Sequence, residues 1–74
     1  MTLPEIFVQL PEEIQVALEA ELERSTITNA TPQTVFNATE LITEHLKNVQ
    51  FPGASLEVRN LLDRVPQAIV DLLF

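Results

Sequence analysis

Residues 5–14, EIFVQLPEEI, carry the pattern on which the predicted fold depends. Two sets of side chains alternate along the first half of this stretch: Ile6, Val8 and Leu10 on one side, and Phe7 and Gln9 on the other. Such alternation is typical of a half-buried strand. Pro11 follows at once and suits the first turn of a helix, where its missing N–H needs no partner. The stretch therefore predicts a strand that runs directly into a helix.

A lone strand leaves a row of N–H and C=O groups unpaired, and no other segment offers a clear hairpin partner. The chain has 74 residues and no cysteine, so its single core is small and has no disulfide to stabilise it. We therefore expect a homodimer whose ribbon pairs Ile6, Val8 and Leu10 with the same strand of a second copy. The predicted fold class is mainly α: this N-terminal strand is followed by three to four short helices.

The helices are predicted from apolar stripes and capping residues. The first stripe consists of Ile14, Ala17, Leu18 and Leu22, and residues 25–30 are expected to end that helix. Thr31 and Pro32 begin a second helix with the stripe Val35, Ala38, Ile42, Leu46 and Val49. Ser55 caps a third helix with Val58, Leu61, Leu62 and Val65, and Pro66 begins a short last one with Ile69, Leu72 and Leu73 facing inward.

The predicted domain organisation is a dimerisation region at 1–52 and a helical extension at 53–74 within the same domain. The extension is too apolar for a solvated tail, so we expect it to pack against residues 35–49. An alternative makes Pro52 and Gly53 a hairpin turn between short strands at 49–51 and 56–58.

Charge is the second informative feature of the chain. The chain has eleven acidic and four basic residues, which gives a net charge of −7. Residues 1–23 contain no Lys or Arg, and their acidic residues are Glu5, Glu12, Glu13, Glu19, Glu21 and Glu23. Such a surface repels phosphate backbones and attracts basic proteins. The alternative is that the charge only keeps a small protein in solution.

The order of strand, Leu-Pro-Glu-Glu, amphipathic helix, polar turn and capped second helix resembles the ribbon-helix-helix superfamily of bacterial repressors and antitoxins. The resemblance covers about residues 5–49 and rests on Ile6, Val8, Leu10, Pro11, Glu12, Glu13, Ile14, Leu18, Leu22, Val35, Ala38 and Ile42. It implies that two copies pair their strands and that one face of the ribbon enters the DNA major groove.

The positions of this chain that match that DNA face are Glu5, Phe7 and Gln9, and Thr31 would hold a phosphate at the start of the second helix. Gln9 suits adenine, but Glu5 opposes phosphate and Phe7 is bulky and apolar. DNA binding is therefore predicted to be weak or absent.

Other residues point to no chemistry. His45 is the single histidine, and an interfacial histidine is the interpretation preferred over a catalytic or metal-binding one. Pairs of glutamates lack a nucleophile or a Gly-rich loop beside them, so we expect neither an enzyme nor a cofactor. No apolar run approaches the roughly 18 residues of a membrane span, and no signal-peptide pattern is present. A cytoplasmic protein is expected.

These observations predict a non-enzymatic, acidic, homodimeric interaction protein that is antitoxin-like or adaptor-like. A basic protein partner would be recognised by the first amphipathic helix and the C-terminal helices, through Glu12, Glu19, Glu23, Leu72 and Phe74. One alternative is a ribbon-helix-helix repressor that binds DNA. The other is a monomeric helical bundle whose first ten residues form a helical arm.

Overall fold

The computed structural model describes residues 1–25 and 31–74. Its elements in chain order are α1 (Leu3–Gln9), α2 (Glu12–Arg24), α3 (Pro32–His45), a π turn (Leu46–Gln50), α4 (Leu56–Asp63) and α5 (Val65–Leu73). The mainly α part of the predicted fold class is confirmed. The predicted strand is wrong, because the described residues contain none.

The segment predicted as a strand forms α1 because residues before the alternating pattern start a helix. The Thr2 hydroxyl accepts a hydrogen bond from the Glu5 backbone N–H at 3.4 Å. A threonine followed three residues later by glutamate is the sequence signature of a helix N-terminus. Pro4 lies in the first turn, where a proline is tolerated.

Burial along α1 follows the helical period and not the strand period. Ile6 and Leu10 are 0% and 4% exposed, whereas Val8 is 77% exposed. Leu3 and Phe7 are half-buried against the same core and complete the stripe. The predicted dimer ribbon of Ile6, Val8 and Leu10 is therefore wrong, because a helix turns Val8 away from the other two. α1 packs on α4 and α5 of its own chain.

Leu10 and Pro11, both with extended backbone, separate α2 from α1. The predicted stripe of α2 is confirmed. Ile14 and Leu18 are buried, and Ala17 and Leu22 pack at the edge of the core. The helix ends at Arg24. Of the break predicted at residues 25–30, only Ser25 lies within the described residues.

The predicted start of α3 is confirmed, and its end differs from the prediction. Thr31 caps the helix by accepting a hydrogen bond from the Thr34 N–H at 3.2 Å. The stripe continues to the buried Leu46, but Val49 is 64% exposed. The cause is the π turn, in which the Phe51 N–H bonds to the Leu46 carbonyl at 2.8 Å, five residues back. This wider turn rotates Val49 out of the stripe.

α4 holds the π turn in place through polar contacts. Arg59 donates a hydrogen bond from Nη1 to the Lys47 carbonyl at 3.0 Å. Lys47 in turn forms an ion pair with Asp63. Ser55 caps α4, as predicted, by accepting from the Val58 N–H at 3.3 Å. Because residues 56–58 begin a helix, the alternative hairpin at 49–58 is wrong.

α5 packs mainly against α3, so the packing expected of the C-terminal residues is present. The buried polar side chains Thr39 and Thr43 donate hydrogen bonds to carbonyls of α3 itself, those of Val35 and Glu40. Their hydroxyls are therefore satisfied without a partner from another helix. Among the described residues, no helix is long and apolar enough to cross a membrane.

Candidate functional site

One end of the bundle carries an open groove with apolar walls, which we call the apolar groove. Its volume is about 240 Å³, and its lining residues are Leu3, Leu22, Ser25, Ile69, Leu72 and Leu73. A neighbouring depression of about 180 Å³ shares Leu3 and Leu72 with it and adds Met1, Thr2, Ala68 and Asp71. Residues from α1, α2 and α5 therefore meet at this end.

The groove exists because the core stripe of α5 continues past the part of the helix that its neighbours cover. Val65 and Ile69 are 0% and 5% exposed, but Leu72, on the same side of the helix, is 65% exposed. Leu73 is 54% exposed. Leu72 and Leu73 were predicted to face inward, and this part of the prediction is wrong. Among residues 1–25 and 31–74, nothing covers the core at this end.

The burial of the apolar stripe of α2 also decreases toward the C-terminal end of the helix. Leu18 is fully buried, whereas Leu22, one turn later, is only half-buried and lines the groove. The two helices thus leave apolar side chains uncovered at the same place. This shared exposure distinguishes the groove from leucines scattered singly on a surface.

Carboxylates follow the solvent-facing side of α2 up to the groove. Glu12, Glu19 and Glu23, which we call the acidic row, are all exposed. Glu19 precedes Leu22 by three residues and is therefore its neighbour on the helix surface. Arg24, the base that follows this row in the sequence, pairs with Glu21 at 3.1 Å. One rim of the groove is therefore negatively charged.

The α5 side of the groove also carries an acidic residue. Asp71 is exposed beside Leu72, and its carboxylate accepts a hydrogen bond from the Gln67 amide at 2.9 Å. Arg64 lies on the adjoining surface together with Asp63 and Asp71. The α-amino group of Met1 is a second cation in the same lining, and Asp63 is already paired with Lys47. Asp71 is therefore the carboxylate that the α5 side offers to a partner.

The residues predicted to contact DNA do not form one face. Glu5 and Gln9 are exposed and adjacent, because the Gln9 amide donates to the Glu5 carbonyl at 3.1 Å. Phe7 turns toward the core instead. Thr31 is engaged as the cap of α3, and His45 is exposed at the last residue of that helix. The interfacial role of His45 stays a prediction.

The predicted partner surface is brought together in part. Leu72 lines the groove, Glu19 and Glu23 lie beside Leu22, and Phe74 is 62% exposed next to Leu73. Glu12 lies at the opposite end of α2. Sequence reasoning missed Leu3, Leu22 and Ile69 as groove residues, and it placed Leu73 inside the core.

A larger groove of about 460 Å³ lies between the start of α2 and residues 50–58. Glu13 and Gln50 are among its polar lining residues, and Ser55, also in its lining, uses its hydroxyl to cap α4. Its walls are the start of α2 and the segment leading into α4, and they do not continue an exposed core stripe. Within residues 1–25 and 31–74, no three His, Cys, Asp or Glu side chains gather as metal ligands would.

No protein-family model, curated protein or solved structure matches the chain. Its function is therefore inferred from the geometry and charge of the apolar groove and the acidic row.

Proposed function

We propose that this chain is a non-enzymatic protein-recognition module that holds an apolar part of a basic partner protein in the apolar groove. The observation that carries the proposal is the exposure of core-stripe leucines at one end of the bundle, 65% for Leu72 and 54% for Leu73. An antitoxin-like or adaptor-like role, in which a small acidic protein covers a basic one, is the corresponding biological activity.

The energetic argument concerns the apolar surface that is left in water. Burying a leucine side chain completely is worth about 1.5–3 kcal/mol relative to full exposure. Leu72 and Leu73 are already partly covered, so a partner gains somewhat more than half of that value from each. Clustered apolar exposure of this kind marks interaction sites on small proteins.

The second argument concerns the charge of the partner that the chain attracts. The chain carries a net charge of −7, and the acidic row lies on the helix that supplies Leu22 to the groove. A basic partner is attracted over roughly a Debye length and oriented toward this end. A second copy of the chain carries the same charge and is repelled, so self-association through the groove is disfavoured.

A site-specific crosslink tests the proposal without knowledge of the partner. A photoreactive benzoylphenylalanine replaces Leu72 in one variant and Val8 in another, and both are irradiated in the native host cell. The two positions are matched controls because they are 65% and 77% exposed. We expect a discrete adduct with one basic protein from position 72 and none from position 8.

Three results would contradict the proposal. Equal, diffuse labelling from both positions would mean that Leu72 is an ordinary surface residue. Adducts only with nucleic acid would point to a different class of partner. An adduct of the chain with itself would make the groove a homodimer contact.

A further inference from the structure

We infer that the apolar groove takes a cationic amphipathic α-helix of the partner. This inference rests on the proposed function and specifies the form in which the partner binds. The incoming helix lays its apolar side on Leu22, Ile69 and Leu72, and its flanking Lys or Arg side chains meet the acidic residues on both rims.

The walls of the groove favour a helix because they are the ends of two helical apolar stripes that no neighbouring described helix covers. Leu22 of α2 and Leu72 of α5 continue stripes that are fully buried one and two turns earlier, at Leu18 and Val65. Within the bundle, these stripes are covered by the apolar sides of neighbouring helices. A further helix placed across the open end gives the stripes the same kind of cover, as in other helix-in-groove complexes.

An extended peptide fits the same surface poorly for two reasons. The described residues contain no strand, so a peptide bound as a strand finds no backbone edge there to pair with. A strand also alternates its side chains between two faces, so its cations point away from the groove when its apolar residues point in. A helix carries cations at the flanks of its apolar stripe.

The acidic residues lie where those flanks would be. Glu19 and Glu23 are beside Leu22 on α2, and Asp71 is beside Leu72 on α5. The apolar stripe is thus bordered by carboxylates on two different helices. A helix with Lys on both sides of a leucine stripe matches this arrangement, and one with Glu at the same positions is repelled.

The test uses two synthetic helical peptides of about 15 residues with the same leucine stripe, one flanked by Lys and the other by Glu. Binding of each labelled peptide to the intact protein is measured by fluorescence anisotropy. We expect the Lys peptide to bind with a micromolar Kd and the Glu peptide not to bind measurably. Circular dichroism of the complex reports whether the bound peptide is helical.

A leucine variant and its control establish where the peptide binds. We expect Leu72→Ser to weaken binding about tenfold, because it removes an apolar anchor. Val8→Ser removes an equally exposed apolar side chain elsewhere and should change the Kd by less than about twofold. Both positions are exposed, so neither variant loses a core side chain.

A pair of charge variants separates local contact from general attraction to an acidic protein. Glu19→Gln with Glu23→Gln removes two charges beside the groove, and Glu40→Gln with Glu44→Gln removes two exposed charges at the same spacing on α3. We expect the first pair to weaken binding about three- to fivefold at low salt and the second pair by less than about twofold. Equal effects of the two pairs would overturn the inference, since they would show non-specific charge binding.

The outcomes also distinguish this inference from the proposed function. If Leu72 crosslinks to a basic protein but the Lys peptide binds without helix formation, or does not bind, the recognition function stands and the helical partner is wrong. If Leu72 gives no specific adduct in the cell, the proposed function itself fails.

Discussion

Gln15 joins α1 to α2 through its side-chain amide. The amide donates hydrogen bonds to the Phe7 carbonyl and, at 2.8 Å, to the Leu10 carbonyl. Carbonyls at the end of a helix have no partner inside it and need one from elsewhere. The Phe7 carbonyl also accepts the Leu10 N–H at 3.1 Å, so Gln15 adds a second donor to Phe7 and provides a donor for the Leu10 carbonyl. These two bonds tie the end of α1 to the first turn of α2.

Replacing Gln15 by Ala should lower the free energy of unfolding by about 1–2 kcal/mol, because the partly buried Leu10 carbonyl loses its side-chain donor and the Phe7 carbonyl keeps only the Leu10 N–H. Urea unfolding followed by circular dichroism measures the change. Gln9→Ala is the control, because it removes an amide that bonds only to Glu5 on the exposed side of α1. Its effect should stay below about 0.5 kcal/mol. Equal losses in the two variants would mean that the Gln15 contacts add nothing to stability.

At the scale of the element, residues 6–10 of the sequence fit the period of a strand and, in part, that of a helix. Ile6 and Leu10 satisfy both an alternating pattern and a helical one, whereas Phe7 and Val8 distinguish the two. In a strand, Val8 shares the buried face with Ile6, whereas in α1 it is 77% exposed. Substitutions at these two positions therefore discriminate between the two structures.

We expect Ile6→Ala to destabilise the protein by about 2–5 kcal/mol, because it leaves a cavity in a fully buried position. Val8→Ala should change the stability by less than about 0.5 kcal/mol. Thermal or urea unfolding gives both values. A comparable loss at the two positions would show that they share a buried face and would contradict the helical assignment.

Most helix boundaries were predictable because the signals that set them are local. Thr31 with Pro32 and Ser55 form hydrogen-bonded caps where the sequence indicates them. The start of α1 carries the same kind of signal in Thr2 and Glu5, but the alternation that follows favoured a strand. The packing of α1 on α4 and α5 decides between the two periods, because it turns Phe7 toward the core and Val8 toward solvent. That packing joins residues far apart in the chain.

The apolar groove was not predictable from the sequence for a related reason. Leu72 continues the same stripe as Val65 and Ile69, so the pattern assigns it to the core. Its exposure depends on where the neighbouring helices end in space. Leu3 and Leu22 join the groove through the same packing, which no local pattern specifies.

At the scale of the whole molecule, charge opposes contact with nucleic acids. The net charge is −7, and three of the four basic residues already make polar contacts in the structure. Arg24 pairs with Glu21, Lys47 with Asp63, and Arg59 donates to the Lys47 carbonyl. Phosphate contacts normally supply most non-specific affinity for DNA, and each needs a base.

Duplex DNA should therefore bind no more tightly than with a micromolar Kd at about 150 mM salt. The measurement is a fluorescence anisotropy titration of a labelled duplex, repeated at lower salt to obtain the salt slope. Because few bases are free to release counterions, the slope should be shallow. A nanomolar complex with a steep salt slope would contradict this prediction, because it would require a local basic surface despite the negative net charge.

The π turn has a consequence for chain length. The N–H of Phe51 bonds to the carbonyl five positions earlier, at Leu46, whereas an α-helical bond spans four positions. Deleting Val49 or Gln50, both exposed, would leave the same two groups bonded in an α turn and would keep Lys47 available to α4. The chain can thus lose one residue here without losing this hydrogen bond. Single-residue length differences among related sequences are therefore expected at residues 48–50. A sequence alignment that places such a gap in the loop before Ser55 would misalign the residues between the π turn and that loop.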